Sequence, residues 1–222
     1  MAKCEEWGRM EKLTKEKEVV GIYLSGHPLD DFKFEVDHFC TAKIKDLSNL
    51  ELAARRGEMR MAGIVTEAQH RMTKTGKPYG VLVLEGYEEN FRFMLFSDDY
   101  IKFKGYLTQG WFLFLKGKVQ KRQWNDELEF KISGIELLSD LKDKMAKHIT
   151  LKMEYDAVNA GTIEWLKELG QEKLGKCTVG VKLIDRKNKN IIQLKSRTIK
   201  VNLTNDLISQ FDKNHELEYE IE

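Results

Sequence analysis

The chain has 222 residues, which is enough for one large domain or two small ones. Its 37 basic and 36 acidic residues give a formal net charge of +1, so only local clusters of charge can indicate a partner. The cysteines Cys4, Cys40 and Cys177 lie far apart, which argues against a zinc site and a disulfide framework. No apolar run approaches the roughly 20 residues that span a bilayer. We therefore expect a soluble cytoplasmic protein with no membrane partner.

The first part of the chain is predicted to be helical. Glu5–Leu24 carries apolar residues at three- and four-residue steps, which is typical of a helix. Gly26 is expected to end this helix, because glycine adopts the left-handed cap easily. A short second helix is predicted near Leu29–Phe32, and 46–56 should connect it, with some helix, to the next domain. Residues 1–56 are thus predicted to form a helical lead-in.

Five strands and one helix are predicted in the middle of the chain. The predicted strands are Met59–Met72, Tyr79–Leu84, Phe91–Phe96, Trp111–Gln120 and Leu128–Leu138. Ser97 is predicted to cap a short helix between the third and fourth strands. This is the strand and helix order of the five-stranded OB barrel. The long first strand can bend, at Gly63, and pair at both ends. We therefore predict an OB fold over residues 57–140.

The remainder is predicted to be a small α+β domain, residues 150–222, which follows a polar, lysine-rich linker at 139–152. Thr162 is predicted to cap its first helix and Gly170 to follow that helix. The other predicted elements are strands at Cys177–Ile184, Ile191–Leu203 and Glu216–Ile221 and a helix from Thr204 to Phe211. The predicted fold class is α+β and multidomain, with a helical lead-in, an OB-fold β-barrel and this α+β domain.

Two hairpins of the predicted barrel contain cations without carboxylates, at Ala68–Gly80 and at Trp111–Asn125. An OB barrel binds nucleic acid on strands two and three, between its first and last hairpin loops. Cations at these loops would bind phosphates in a salt-dependent way. The candidate nucleic-acid-binding residues are Arg71, Lys74, Lys77, Tyr79, Arg92, Lys121, Arg122 and Trp124.

Aromatic side chains lie beside both hairpins. Tyr79 and Trp124 are predicted to stack on bases, an interaction that contributes about 1–3 kcal/mol per base. Trp124 lies in a polar turn, where burial is disfavoured. Phe91 and Phe93 share one face of a strand, and alternation favours a place in the core over stacking, which stays open.

Signatures of enzyme active sites are absent from the sequence. There is no GxxxxGK[ST], GxSxG or HExxH motif. The five histidines are scattered without the spacing of metal ligands. The paired carboxylates Asp30–Asp31 and Asp98–Asp99 are explained by helix N-termini. We predict no catalytic residue, no metal site, no cofactor and no enzyme activity for this chain.

Several segments resemble one protein family. Glu18–Leu29 resembles the GxYLSGHPL segment of the bacterial replicative DNA polymerase III alpha subunit. Three further segments are similar to the OB domain of that family, namely Ala62–Val65, Thr73–Gly76 and Phe93–Asp98. The resemblance extends from about Glu16 to the C-terminus and is strongest up to Leu138.

The resemblance implies that the chain corresponds to the C-terminal part of a much longer DNA-directed DNA polymerase, a nucleotidyltransferase. In the family, the polymerase core and the metal-dependent PHP domain lie upstream. The OB domain binds single-stranded template DNA, and the last domain, here about Tyr155–Glu222, binds the clamp-loader tau subunit. The implied partners are therefore single-stranded DNA, tau and the rest of the polymerase chain in a replisome. The family's clamp-binding motif has no counterpart, since Gln171–Leu174 lacks its aromatic residue.

Other functions are compatible with the sequence. An OB-fold RNA-binding module would prefer RNA through contacts to the 2′-hydroxyl. A protein-docking scaffold would have a barrel that binds no nucleic acid. A nuclease or polymerase acting alone would show activity with Mg²⁺. The main hypothesis predicts binding to single-stranded DNA that is micromolar or weaker and falls steeply with salt.

Overall fold

The structure is a computed structural model that describes residues 7–122, 125–170, 175–214 and 217–221. The chain divides between Ser139 and Asp140 into two compact units. Helices and two β-sheets are present, which confirms the predicted α+β class. Among the described residues, no helix is both long and apolar enough to cross a membrane.

The first unit begins with helix α1 (Arg9–Val20). Gly21 ends this helix with a left-handed φ of 84°, and its N–H donates to the carbonyl oxygen of Lys17. The predicted end at Gly26 is therefore wrong, because Gly21 already adopts the cap conformation at no steric cost. Two more helices follow, α2 (Lys33–Phe39) and α3 (Leu50–Ala54). The 3-10 turns Pro28–Phe32 and Ile44–Ser48 precede them.

The five predicted strands form the barrel of the first unit. They are β1 (Glu58–Met72), β2 (Pro78–Glu85), β3 (Asn90–Phe96), β4 (Phe112–Lys121) and β5 (Leu128–Leu137). Their hydrogen-bonded order is β3-β2-β1-β4-β5, and every neighbouring pair is antiparallel. Helix α4 (Ser97–Phe103) lies between β3 and β4 in the chain.

Strand β1 pairs with two neighbours, as predicted. Residues 58–64 pair with β4 and residues 64–72 pair with β2. The register shifts between Val65 and Glu67, so the strand bulges after Gly63 rather than at it. A Cβ atom at Gly63 would lie 2.9 Å from the carbonyl oxygen of Glu85. Glycine is thus required there for close packing.

The junction between β3 and α4 differs from the prediction. Phe96 occupies the N-cap position, and Ser97 is the first helical residue with a left-handed φ of 48°. Ser97 is therefore not the N-cap. The chain has to turn sharply from the strand into the helix, and it does so through a left-handed residue instead of a side-chain cap.

The second unit is built around a four-stranded sheet. Its elements are α5 (Leu141–Met145), β6 (His148–Glu154), α6 (Ala160–Leu169), β7 (Cys177–Asp185), β8 (Asn190–Val201), α7 (Asn205–Lys213) and β9 (Leu217–Ile221). The strand order is β8-β7-β6-β9, and only β6 and β7 are parallel among the described strands. Helix α6 makes the crossover that parallel strands need.

Two predictions in this unit are wrong and one is confirmed. The predicted linker at 139–152 contains most of β6, whose Ile149 and Leu151 are buried, because apolar residues alternate there with polar ones. Asn159, not Thr162, caps α6, since its Oδ1 accepts from the Thr162 N–H at 3.1 Å. Thr204 caps α7 as predicted, and its Oγ1 accepts from the Leu207 N–H at 3.2 Å.

A substitution on β4 tests the packing of the barrel. A Cβ atom at Gly117 would lie 2.6 Å from the ring of Phe130 and still closer to the carbonyl oxygen of Lys131. We expect Gly117→Ala to lower the free energy of unfolding by about 1–3 kcal/mol in urea titrations, because neither neighbour can move freely. Gly134→Ala is the control, since its nearest neighbour would be Lys116 Cβ at 3.9 Å. Equal losses in the two variants would contradict this packing.

Candidate nucleic-acid interface

The outer surface of β1, β2 and β3 presents side chains in aligned rows. The register places Arg71 beside Tyr79, and Tyr79 beside Phe96. Two further rows follow along the strands, Gln69–Val81–Met94 and Glu67–Val83–Arg92, and their middle residues Val81 and Val83 are buried. Because side chains alternate along a strand, these rows share the face opposite the barrel core. We call this surface the outer face.

An aromatic pair lies at one end of the outer face. The rings of Tyr79 and Phe96 stack with centroids 5.3 Å apart and an interplanar angle of 25°. Phe96 is 45% exposed, and Met94 beside it is 42% exposed. Sequence reasoning missed both residues as binding candidates, although the alternation that placed Arg92 outward also places Met94 and Phe96 outward. Flat, exposed rings are surfaces on which nucleobases stack.

Two other aromatic residues, Phe91 and Phe93, were candidates either for the core or for base stacking. Phe93 is 3% exposed in the barrel core, and its ring lies 5.8 Å from that of Phe130. Phe91 is partly buried and packs against the same core. Phe93 therefore belongs to the core, as the alternation favoured, whereas Phe91 packs against the core and also lines the cleft between β3 and β5.

The first hairpin loop, Thr73–Lys77, is an ordered turn with exposed cations. The Gly76 N–H donates to the Thr73 carbonyl oxygen at 3.0 Å, and the Lys77 N–H donates to Thr73 Oγ1 at 3.0 Å. Lys74 and Lys77 are exposed, and neither forms a salt bridge within the described residues. On the adjoining strand, Arg71 is also exposed, and its Nε donates to the neutral amide of Gln69 at 2.5 Å. These three cations are available to anions.

The last hairpin, by contrast, carries its own counter-charges. Lys121 Nζ lies 3.1 Å from Asp126 Oδ1. Arg122 pairs with Glu127 at 2.9 Å and with Glu129 at 3.2 Å. The expectation of a positive hairpin without carboxylates was therefore wrong. It considered the outgoing strand alone, whereas the turn supplies Asp126 and Glu127 and the returning strand supplies Glu129. Trp124, the predicted stacking residue of this hairpin, lies outside the described residues.

A cleft of about 360 Å³ separates β3 from β5. Arg92, Met94 and Phe96 line one side, and Arg122 and Glu129 line the other. Arg92 is itself paired with Glu67 at 3.2 Å. The structure thus brings Arg92 and Arg122 to one cleft, and both arginines are held by acids. Of the other candidates, Arg71 and Tyr79 lie in the row of the outer face that ends at Phe96.

The segment that resembles the YLSGHPL motif has a structural role. The His27 ring lies between the rings of Tyr23 and Tyr87, with centroid distances of 5.1 and 4.6 Å. Burial lowers the pKa of His27 and raises the pKa of Tyr87 to about 12. Lys17 of α1 also pairs with Glu85 at the end of β2. These contacts hold the lead-in against the β2–β3 hairpin.

Comparison with known protein families agrees with the geometry. Residues 59–138 match the family described as the OB-fold nucleic acid binding domain. The barrel is therefore an OB fold. Residues 149–222 match the family described as the C-terminal domain of the DNA polymerase III alpha subunit. Within the described residues, no group of three or more histidine, cysteine, aspartate or glutamate side chains is placed to hold a metal ion.

Individual relatives point to the same family. The DNA polymerase III alpha subunit of Pseudomonas aeruginosa is 24% identical over 206 residues, which cover 93% of this chain and 17% of the relative. That of Escherichia coli is 25% identical over 154 residues, or 68% of this chain and 13% of the relative. The resemblance to the C-terminal region of this subunit is confirmed, and the chain spans less than a fifth of either relative's length.

Solved structures add little. The mitochondrial single-stranded DNA binding protein Rim1 of S. cerevisiae shares 14% sequence identity with a TM-score of 0.28. The match covers 36% of this chain and 94% of Rim1. A score this low supports no conclusion.

The two faces of β3 should respond differently to truncation. We expect Phe93→Ala to lower the free energy of unfolding by about 3–5 kcal/mol, because it leaves a cavity in the core. We expect Phe96→Ala to cost less than about 1 kcal/mol, because its ring is half exposed and anchors no core contact. Urea unfolding of both variants is the measurement. A loss for Phe96→Ala as large as that for Phe93→Ala would show that the outer face is structural.

Proposed function

We propose that this chain binds single-stranded DNA on its outer face, as a non-catalytic part of a DNA polymerase III alpha subunit. The observation that carries the proposal is the stack of the half-exposed Phe96 ring on the partly buried Tyr79 ring, which adjoins the unpaired cations Arg71, Lys74 and Lys77. The rings would accept bases, while the cations would accept phosphates.

One physical feature of the site favours single strands over duplexes. A stacking platform contacts the flat face of a base, and that face is covered by neighbouring bases in a duplex. Stacking also requires no particular base, which suits a protein that meets every sequence in turn. Met94, exposed beside the rings, extends the apolar surface along the outer face.

The count of available cations limits the affinity. Three unpaired cations can neutralise about three phosphates, whereas Lys121, Arg122 and Arg92 are paired with acids. Each neutralised phosphate of a single strand contributes about −0.7 to the slope of log K against log salt. We therefore propose micromolar or weaker binding with a slope of about −2.

The relatives support a proposal for the wider role. Because the chain spans 17% of the Pseudomonas aeruginosa subunit, we propose that polymerisation belongs to the remainder and that this part needs no cofactor. We propose further that residues 149–222, which match the C-terminal domain of the family, dock the clamp-loader tau subunit. The proposed setting is the cytoplasmic replisome.

A triple variant tests the proposed binding surface. We expect Arg71→Ala/Lys74→Ala/Lys77→Ala to weaken binding of fluorescein-labelled oligothymidine and to bring the salt slope close to zero, because the cations that contact phosphate are gone. Fluorescence anisotropy at several salt concentrations measures both quantities.

The control variant removes three positive charges from the second unit. Lys189→Ala/Lys195→Ala/Lys200→Ala alters three exposed lysines of the second unit and should leave affinity and slope nearly unchanged. Equal effects of the two triple variants would refute the assigned surface. Stronger competition by oligouridine than by oligothymidine would favour an RNA-binding module, and no binding to either would favour a docking scaffold.

A further inference from the structure

The guanidinium of Arg122 is held by two acids, one in the turn before β5 and one on β5. Its Nε donates to Glu129 at 3.2 Å, and its Nη1 donates to Glu127 at 2.9 Å. The side chain of Arg122 is 35% exposed, and that of Glu129 is 28% exposed. This arrangement, which we call the Arg122 clasp, is therefore partly shielded from water at the rim of the cleft.

A carboxylate and a phosphate use the same donors of a guanidinium. Both accept its N–H groups in charge-assisted hydrogen bonds. Glu127 and Glu129 thus accept from the Arg122 N–H groups that a phosphate would otherwise use. One arginine and two glutamates carry a net charge of −1, so an approaching phosphate meets repulsion rather than attraction.

The neighbouring lysine, Lys121, is likewise paired with an acid. Lys121 immediately precedes Arg122, and its Nζ is paired with Asp126 in the turn. From residue 121 to residue 129, the described side chains contain two cations and three carboxylates. The hairpin that flanks the cleft is thus slightly acidic, although its outgoing strand alone is cationic.

We propose that Glu127 and Glu129 compete with DNA phosphates for Arg122 and so hold the last hairpin in a low-affinity state. The inference rests on the proposed function and concerns the regulation of that site. A strand then binds through the rings and the first loop, while the cleft stays closed to its backbone. Release of Arg122 would give the strand an additional phosphate contact, across the cleft from Phe96.

The clasp contributes little to folding. Glu127 is 67% exposed, and ion pairs at such exposure are weak. Glutamine has the shape of glutamate and still accepts a hydrogen bond from Arg122, so it removes the charge while it keeps the geometry. The effect of the two negative charges on DNA binding can therefore be measured without a change in the fold of the hairpin.

A double variant tests the proposal. We expect Glu127→Gln/Glu129→Gln to tighten binding of fluorescein-labelled oligothymidine by on the order of tenfold, because Arg122 gains a phosphate partner. The slope of log K against log salt should steepen by about 0.7, the contribution of one further phosphate. Adding Arg122→Ala to the double variant should abolish both gains.

The matched control is Glu154→Gln/Glu220→Gln in the second unit. Glu154 pairs with Arg186, and Glu220 pairs with Lys152, so the control removes the same charge and the same kind of ion pair. An equal gain in the control would overturn the proposal, because total charge would then explain the effect. An unchanged or weakened affinity of Glu127→Gln/Glu129→Gln, with binding by the unsubstituted chain intact, would overturn it as well. Absence of binding by the unsubstituted chain would instead refute the proposed function on which the inference rests.

Discussion

The pairing of β1 with two different neighbours is the interaction on which the barrel and its outer face depend. The first half of β1 is hydrogen-bonded to β4 and the second half to β2, with a bulge at the start of the second half. The register with β2, and of β2 with β3, then brings Arg71, Tyr79 and Phe96 into one row. A slip of one residue would turn these side chains into the core. The side chains of the candidate site thus lie together only because the strands pair in this register.

Much of this fold could be predicted from sequence, because strand alternation and turn residues are local signals. The order of strands and the inward face of β3 followed from them. Caps were harder, since several residues compete for one position. Gly21 ended α1 before Gly26 could, and Asn159 capped α6 instead of Thr162. The deciding factor was the backbone conformation at each residue, which spacing alone does not reveal.

The candidate site was less predictable, because its electrostatics depend on contacts across strands. From sequence alone, the cations of one segment are expected to be free of ion pairs, because the acids that lie beside them across the hairpin are not yet known. The β4–β5 hairpin brings Glu129 against Arg122, seven residues away, and reverses the expected charge of that loop. Phe96 was overlooked for a similar reason, since only its register with Tyr79 shows that the two rings stack.

The candidate interface therefore has two parts: the rings and unpaired cations of the outer face and first loop, and the cleft, whose Arg92 and Arg122 are paired with acids. The account depends most on the stack of the half-exposed Phe96 ring on Tyr79. The most direct test is the affinity of Phe96→Ala for labelled oligothymidine, measured by fluorescence anisotropy at constant salt. Loss of one stacked base predicts binding about 5- to 150-fold weaker, which corresponds to about 1–3 kcal/mol. An unchanged affinity in a folded Phe96→Ala protein would contradict the account.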